Sequence, residues 1–349
     1  MASRRDALGA RFRRFAEAEC RGSSPLYERL ALSIAGDGEL LALAAHAPPE
    51  QPAPNLFLAA VHFLLLEGAG VTPLARLYPS LVDEPCPPAA AAVAFREFCL
   101  AHGEAVRRLV TTRRVQTNEV GRCAYLLPAF GLVSRLAGER PLALIEIGTS
   151  AGLNLLWDRY GYRYGVEEAY GDAGSPVQLA CQPRGDIHPP LPRRIPSVAT
   201  RVGVDLRTID VDDPREVLWL EALVWPEHRE RARALRSAIA VARQHRPRLV
   251  AGDGLALLPG LLSATPAGAA PCVFHTHTVN QLAAEARARL SGLLEEQGHA
   301  REIYRVSAEW LGTPHPQLEL AAWRGGRGEH RVLADCDPHG RWLAWRDPP

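Results

Sequence analysis

One stretch of this chain combines more chemistry-bearing features than any other: Leu144-Ile145-Glu146-Ile147-Gly148-Thr149-Ser150-Ala151-Gly152-Leu153-Asn154. An apolar run carrying one acid passes into a turn of small residues. Small residues let a backbone approach a ligand closely, and a helix that opens just after the turn offers N–H groups with no internal partner. Gly148, Thr149, Ser150 and Gly152 are therefore candidate ligand contacts, with Glu146 just before them and Asn154 just after. The turn Gly148–Gly152 also reads Gly-x-Ser-x-Gly, the pattern of a nucleophile elbow between strand and helix.

Four further stretches place polar groups after short apolar runs. Asp205 follows Val202-Gly203-Val204, where a carboxylate can accept from the two hydroxyls of a ribose. Gly252 and Asp253 follow Arg248–Ala251, and Asp253 is equally suited to cap the next helix. His275 and His277 lie in Val273-Phe274-His275-Thr276-His277-Thr278; imidazole titrates near neutrality, so either can take a proton from a nucleophile. The alternating pair could instead hold a metal with Asp253 or Glu309, although spacing alone favours no metal. Glu309 and Trp310 close the series, a carboxylate beside an indole. Upstream, Asn118 in Thr117-Asn118-Glu119 reads as a helix cap or, with Glu119 and Arg122, as part of a lid over the turn.

The elements that must position these groups divide at about residue 138. Residues 1–138 carry apolar residues at three- and four-residue spacing over 11–20, 26–47, 55–67, 89–110 and 118–137, punctuated by prolines at 48–54 and 85–88, and are expected to be helical. From 139 to 349 short apolar runs at 142–147, 198–204, 248–251, 272–274 and 302–306 alternate with helical stretches at 152–160, 214–245, 255–262 and 280–297. That alternation predicts an α/β domain with a Rossmann-like, mostly parallel sheet. Runs at 317–323, 331–334 and 341–345 predict an antiparallel C-terminal edge. Gly161–Pro196 is proline-rich and reads as a long insertion, with one short strand over 177–180. In such sheets ligands bind beyond the carboxyl ends of the strands, which is where all the groups above fall.

Composition narrows the chemistry. All 40 basic residues are Arg, so no lysine is present for a Schiff base or a phosphate-binding Walker loop. The formal net charge of +1 supplies no general attraction for nucleic acid or an anionic membrane, and the basic run between Glu227 and Arg248 reads as a solvated helix face. Seven scattered cysteines without zinc spacing suit reduced thiols, and with no signal-like or membrane-length apolar segment the expected location is cytoplasmic. Oligomeric state is not legible.

The turn resembles the first motif of class I S-adenosylmethionine-dependent methyltransferases, an acidic residue followed by Gly-x-Gly-x-Gly, with Ser150 in place of the middle glycine. The resemblance implies a cofactor, S-adenosylmethionine, on Glu146, Gly148, Thr149, Ser150, Gly152, Asn154, Asp205, Gly252, Asp253 and Asn118, and a small-molecule methyl acceptor near His275, His277 and Glu309. Across most of its length the chain is similar to a bacterial family known as domain of unknown function 2332. That likeness rests on Thr117–Arg122, Glu146–Leu155, Asp158-Arg159-Tyr160, Gly203–Leu206 and Trp219-Leu220 through Trp225-Pro226-Glu227. Other readings are an α/β serine hydrolase using Ser150 with Asp253 and either His275 or His315, a nicotinamide dehydrogenase, and a methyltransferase-fold protein without catalysis. The hydrolase needs strands before its nucleophile and the dehydrogenase needs Gly-x-Gly-x-x-Gly, and neither pattern is present.

Overall fold

A computed structural model describes residues 4–68, 72–166, 169–325 and 327–346. The chain forms two compact units, Met1–Thr117 with Asp213–Arg233, and Asn118–Asp212 with Ala234–Pro349.

The first unit is helical: α1 (Arg4–Phe15), α2 (Pro25–Ile34), α3 (Gly38–Ala44), α4 (Ala53–Glu67), α5 (Ala91–Ala101), α6 (Gly103–Thr112) and α8 (Pro214–Ala222). Two stretches that periodicity reads as single helices are each two. Asp37 accepts from the amides of Glu39 and Leu40 and so starts α3 afresh, while the second break falls at His102-Gly103. The stretch 214–245 is also divided, into α8 and α9 (Arg229–Gln244), with Trp225-Pro226 between them. Contacts assign α8 to the helical unit although its sequence lies among the strands. His62 Nδ1 pairs with Ala222 O at 3.0 Å, and the Trp219 indole donates to Arg114 O. Phe63, packed against Trp219, continues the same core.

The second unit is mixed α/β. Its strands are β1 (Leu142–Ile147), β2 (Gly161–Tyr164), β3 (Ala169–Gly171), β4 (Gln178–Pro183), β5 (Val198–Asp205), β6 (Arg248–Ala251), β7 (Ala270–Thr276), β8 (Ile303–Glu309), β9 (Gln317–Arg324), β10 (Arg327–Cys336) and β11 (Trp342–Trp345). They form one large, mostly parallel sheet of 11 strands, ordered β3-β2-β4-β11-β10-β9-β8-β7-β1-β5-β6. The run β8-β7-β1-β5-β6 is parallel throughout, and β9 and β10 pair antiparallel to their predecessors.

The antiparallel strands do not close an edge, as the sequence suggested. The insertion supplies three strands instead of one, and β4 pairs with β11, so the sheet continues through the insertion to β3. Residues 167–168 of that insertion lie outside the described residues.

Every residue of β1 is buried, as expected of a central strand covered on both faces. On one face Ile145, Val273 and Ile303 pack with Leu255, Leu258 and Leu262 of α10 (Gly254–Ser263) and Leu290 and Leu294 of α11 (Ala284–Ala300). The other face meets α7 (Cys123–Leu136), where the Phe130 and Phe274 rings stand edge to face at 5.3 Å.

Candidate functional site

After β1 the chain builds β2–β4 at the far end of the sheet, then enters β5 on one side of β1 and later returns through β7 on the other. The ends of β1, β5 and β7 therefore surround a point where strand order reverses, the usual place for a ligand in open α/β sheets. The turn sits there. Gly148, Ser150 and Gly152 have φ of 77°, 54° and 73°, so alternate residues adopt the left-handed conformation. Glycine takes it freely; in Ser150 it stores about 1–2 kcal/mol that surrounding contacts must offset.

Those contacts come from within the chain. The amides of Gly148 and Thr149 donate to Val204 O, and that of Gly152 to Thr149 O. Asp205 Oδ2 accepts from Ser150 N at 2.9 Å. Asn118 Oδ1 accepts from both Ala151 N and Leu153 N, at 3.2 and 3.1 Å. Sequence reasoning leaves these amides for a ligand, but the carboxylate and the amide side chain already take them. The segment after the turn, Leu153–Arg159, is a 3-10 stretch interrupted at Leu156 and not the α-helix expected over 152–160, so it presents no long aligned dipole.

The glycines allow close packing. A Cβ on Gly148 would lie 2.2 Å from Thr278 Oγ1, and one on Gly152 would lie 2.8 Å from Leu249 Cδ2. Thr278 belongs to the segment after β7, so the turn and that segment are in direct contact. Nothing in the sequence pairs Thr278 with Gly148.

Glu146 lies beneath the turn. Its Oε2 accepts from Thr149 Oγ1 at 2.6 Å. Burial pushes its carboxyl up to about 8, against the opposing effect of hydrogen bonds from Thr149 and Asn154. At neutral pH it is therefore mainly protonated and ties β1 to the turn, in place of the charged ligand contact that its residue type suggests. Asn154, also buried, accepts from Cys123 Sγ through Oδ1 at 3.4 Å.

The other acids divide by role. Asp205 also accepts from Arg207 N through Oδ1 but is only half-buried. Each of its oxygens has a further lone pair, so it keeps acceptor capacity for a ligand hydroxyl. Asp253 caps α10 by accepting from Leu255 N at 2.8 Å, while Gly252 N donates to Asp205 O. Asp253 is exposed and its second oxygen faces no such demand.

At the end of β7 the two histidines diverge. His275 Nδ1 lies 2.6 Å from Glu309 Oε1, and both side chains are buried. Glu309 also accepts from Thr278 N and Asn280 N, both at 3.1 Å. Burial would raise the Glu309 carboxyl, but the bonds from His275, Asn280 and Thr278 outweigh it and hold it below the usual range. An ionised Glu309 makes Nδ1 a protonated nitrogen of His275, and in the neutral form of the ring Nε2 is then an acceptor. His277 has a φ of 53°, and burial together with the Arg122 guanidinium pushes its pKa down to about 3. So weak a base does not serve as the proton acceptor that its residue type suggests near pH 7.

Arg122 donates to Thr276 O and Thr276 Oγ1, which ties the segment before α7 to the end of β7. Arg305 and Ser307, at two-residue spacing before Glu309, join His275 on one sheet face. Sequence reasoning missed them, although the alternation in Arg305-Val306-Ser307-Ala308-Glu309 is a legible signal.

A hydrolase triad is not assembled. The buried Ser150 Oγ has no hydrogen-bond partner, His275 is committed to Glu309 and Asp253 to α10, and His315 stands edge to face with Trp342. Among the described residues no three His, Cys, Asp or Glu side chains converge as metal ligands, and no helix is long and apolar enough to cross a membrane.

These features define a mixed α/β protein whose candidate residues gather at the reversal point of a large, mostly parallel sheet. The chain belongs to the family described as "Uncharacterized protein conserved in bacteria (DUF2332)", whose model matches residues 9–345. Searches of curated proteins and of solved structures found no match.

Proposed function

We propose that the second unit binds S-adenosylmethionine at the reversal point and that the protein is a methyltransferase acting on a small molecule. The observation that carries this reading is the convergence of three left-handed residues, Gly148, Ser150 and Gly152, with the half-buried Asp205 carboxylate at the ends of adjoining strands β1 and β5. A carboxylate in that place suits a ribose diol.

The fit of an adenosyl amino acid is mixed. In its favour, Ser150 Oγ, His277 Nε2 and Asn280 Oδ1 are buried polar atoms without partners, all near the ends of β1 and β7, and a polar ligand would satisfy them. Against it, Thr278 covers Gly148 and the turn amides are already bonded, so the ligand would meet side chains more than bare backbone.

S-adenosylmethionine, when bound, supplies an electrophilic methyl group. The chain's part is to hold the ribose through Asp205, exclude water with Thr278 and Val279, and orient an acceptor. His275, with Nδ1–H directed at Glu309, can receive the acceptor's proton at Nε2 when the ring is neutral, and Glu309 stabilises the resulting imidazolium.

Isothermal titration of the full chain with S-adenosylmethionine and S-adenosylhomocysteine tests the reading. Saturable one-site binding of both is expected. Folded protein that binds neither at millimolar ligand would overturn it, and binding without turnover across a varied acceptor panel would favour a non-catalytic role for the same site.

A further inference from the structure

Arg305, Ser307 and Glu309 leave β8 on the same face. Parallel β7 sets His275 beside Ser307, and antiparallel β9 sets Glu319 beside Ser307 and Gln317 beside Glu309. With Val279 and Leu311 these side chains line a cavity of about 60 Å³. One water needs on the order of 10–15 Å³, so there is room for a group of a few heavy atoms.

Its polar lining is incompletely satisfied in a specific way. Glu309 is taken up by His275 Nδ1 and two backbone amides, and Glu319 Oε2 accepts from His330 Nε2 at 3.0 Å and from Arg305 Nη2 at 3.5 Å. Gln317 Nε2 reaches Asp335 Oδ1 at 3.4 Å. Two buried nitrogens remain without a partner, Nε2 of His275 and Nε of Arg305. In its neutral form His275, only 2% exposed, needs a hydrogen-bond donor at Nε2, and Arg305 needs an acceptor at Nε.

A hydroxyl group is both. A carboxylate brings no proton for Nε2 and would face Glu309 and Glu319, whereas an ammonium would face Arg305. We infer that this cavity receives the neutral hydroxyl of a small alcohol, its proton directed at His275 Nε2 and its oxygen accepting from Arg305 Nε. The cation beside that oxygen stabilises developing negative charge, and the imidazole is placed to take the proton. In naming this hydroxyl as the methyl acceptor the inference rests on the function proposed above; the hydroxyl site itself does not.

The test is nitrogen NMR of the full chain labelled with ¹⁵N-histidine, titrated with ethane-1,2-diol without S-adenosylmethionine. The His275 Nε2 signal, assigned by its loss in His275→Gln, is expected to shift saturably. For four heavy atoms the dissociation constant is no tighter than about tens of micromolar. Arg305→Met should weaken binding at least tenfold while the Nε2 signal persists, and Ser307→Val, which adds methyl groups to the cavity, should abolish the shift. A linear, non-saturating shift would mean that water alone fills the cavity and would overturn the proposal. Acetate or methylammonium binding as well as the diol would do the same, as would unchanged affinity in folded Ser307→Val. Because the titration contains no S-adenosylmethionine, failure of cofactor binding in calorimetry leaves this result standing, and the converse also holds.

Discussion

Glu309 accepts from His275 Nδ1 at 2.6 Å, and through its backbone partners Thr278 and Asn280 it also holds the segment that covers Gly148. One carboxylate thus orients the His275 imidazole and positions the segment that packs against the turn.

Glu309→Gln keeps the shape but loses the charge, and its amide NH2 confronts a donor among Nδ1–H and two backbone amides. Leaving a buried donor facing another donor costs about 1–3 kcal/mol. Urea unfolding should show that loss, and any methyl transfer should fall further than stability alone explains. A variant as stable as the parent would contradict the role given to Glu309.

The Glu146 carboxyl, raised to about 8 in the folded chain, has an ordinary pKa near 4.5 when unfolded. The folded state therefore binds the extra proton between those values. This stabilisation is complete below about pH 4.5 and is lost as pH rises through about 8. Glu146→Gln, which mimics the protonated form, should flatten that limb of the stability-pH profile, by an amount on the order of a few kcal/mol between pH 5 and 9. Chemical denaturation at several pH values measures it; an unchanged slope would place the ionised form in the fold.

His277 has the opposite sign. Its pKa falls from 6.5 to about 3 on folding, so its contribution is full above pH 6.5 and is lost as pH falls towards 3. Its φ of 53° favours Asn or Gly. His277→Asn should remove that acid-side dependence and leave stability near pH 7 within about 1 kcal/mol. Persistence of the acid limb in the variant would assign it to another group.

Asn118→Ala leaves Ala151 N and Leu153 N without their acceptor. Two buried amides losing one shared partner should cost about 2 kcal/mol. Hydrogen exchange at residues 150–153 should accelerate accordingly, and an unchanged exchange rate would show that Asn118 does not hold the turn.

Gly148→Ala drives a methyl group into Thr278 and asks alanine to adopt φ of 77°. The steric part should be relieved in Gly148→Ala/Thr278→Gly, giving a favourable coupling of about 1 kcal/mol or more in a double-mutant cycle. Strict additivity would place the two residues out of contact.

The alternation of short apolar runs with helical stretches after Pro141, and the small-residue turn at Gly148–Gly152, were legible because period and residue size act locally. The family resemblance read from strings such as Glu146–Leu155 agrees with the family match over residues 9–345. Local pattern did not reveal where helices 26–47, 89–110 and 214–245 break, since one Asp cap or Trp-Pro step outweighs an otherwise continuous stripe. Nor could it order 11 strands, because β4 meets β11 across about 160 residues of chain through a backbone ladder blind to side-chain identity.

By itself the sequence determined that Gly148, Ser150 and Gly152 form a tight bend at the end of a buried strand, and that carboxylates and imidazoles follow the neighbouring strands. Only the tertiary structure decided what those groups bond to. Asn118 and Asp205 take the turn amides, Glu146 holds a proton in a buried site, and of the two histidines only His275 keeps a carboxylate partner. Hydrogen-bond satisfaction and desolvation depend on everything that surrounds a group, and most of that arrives from distant parts of the chain.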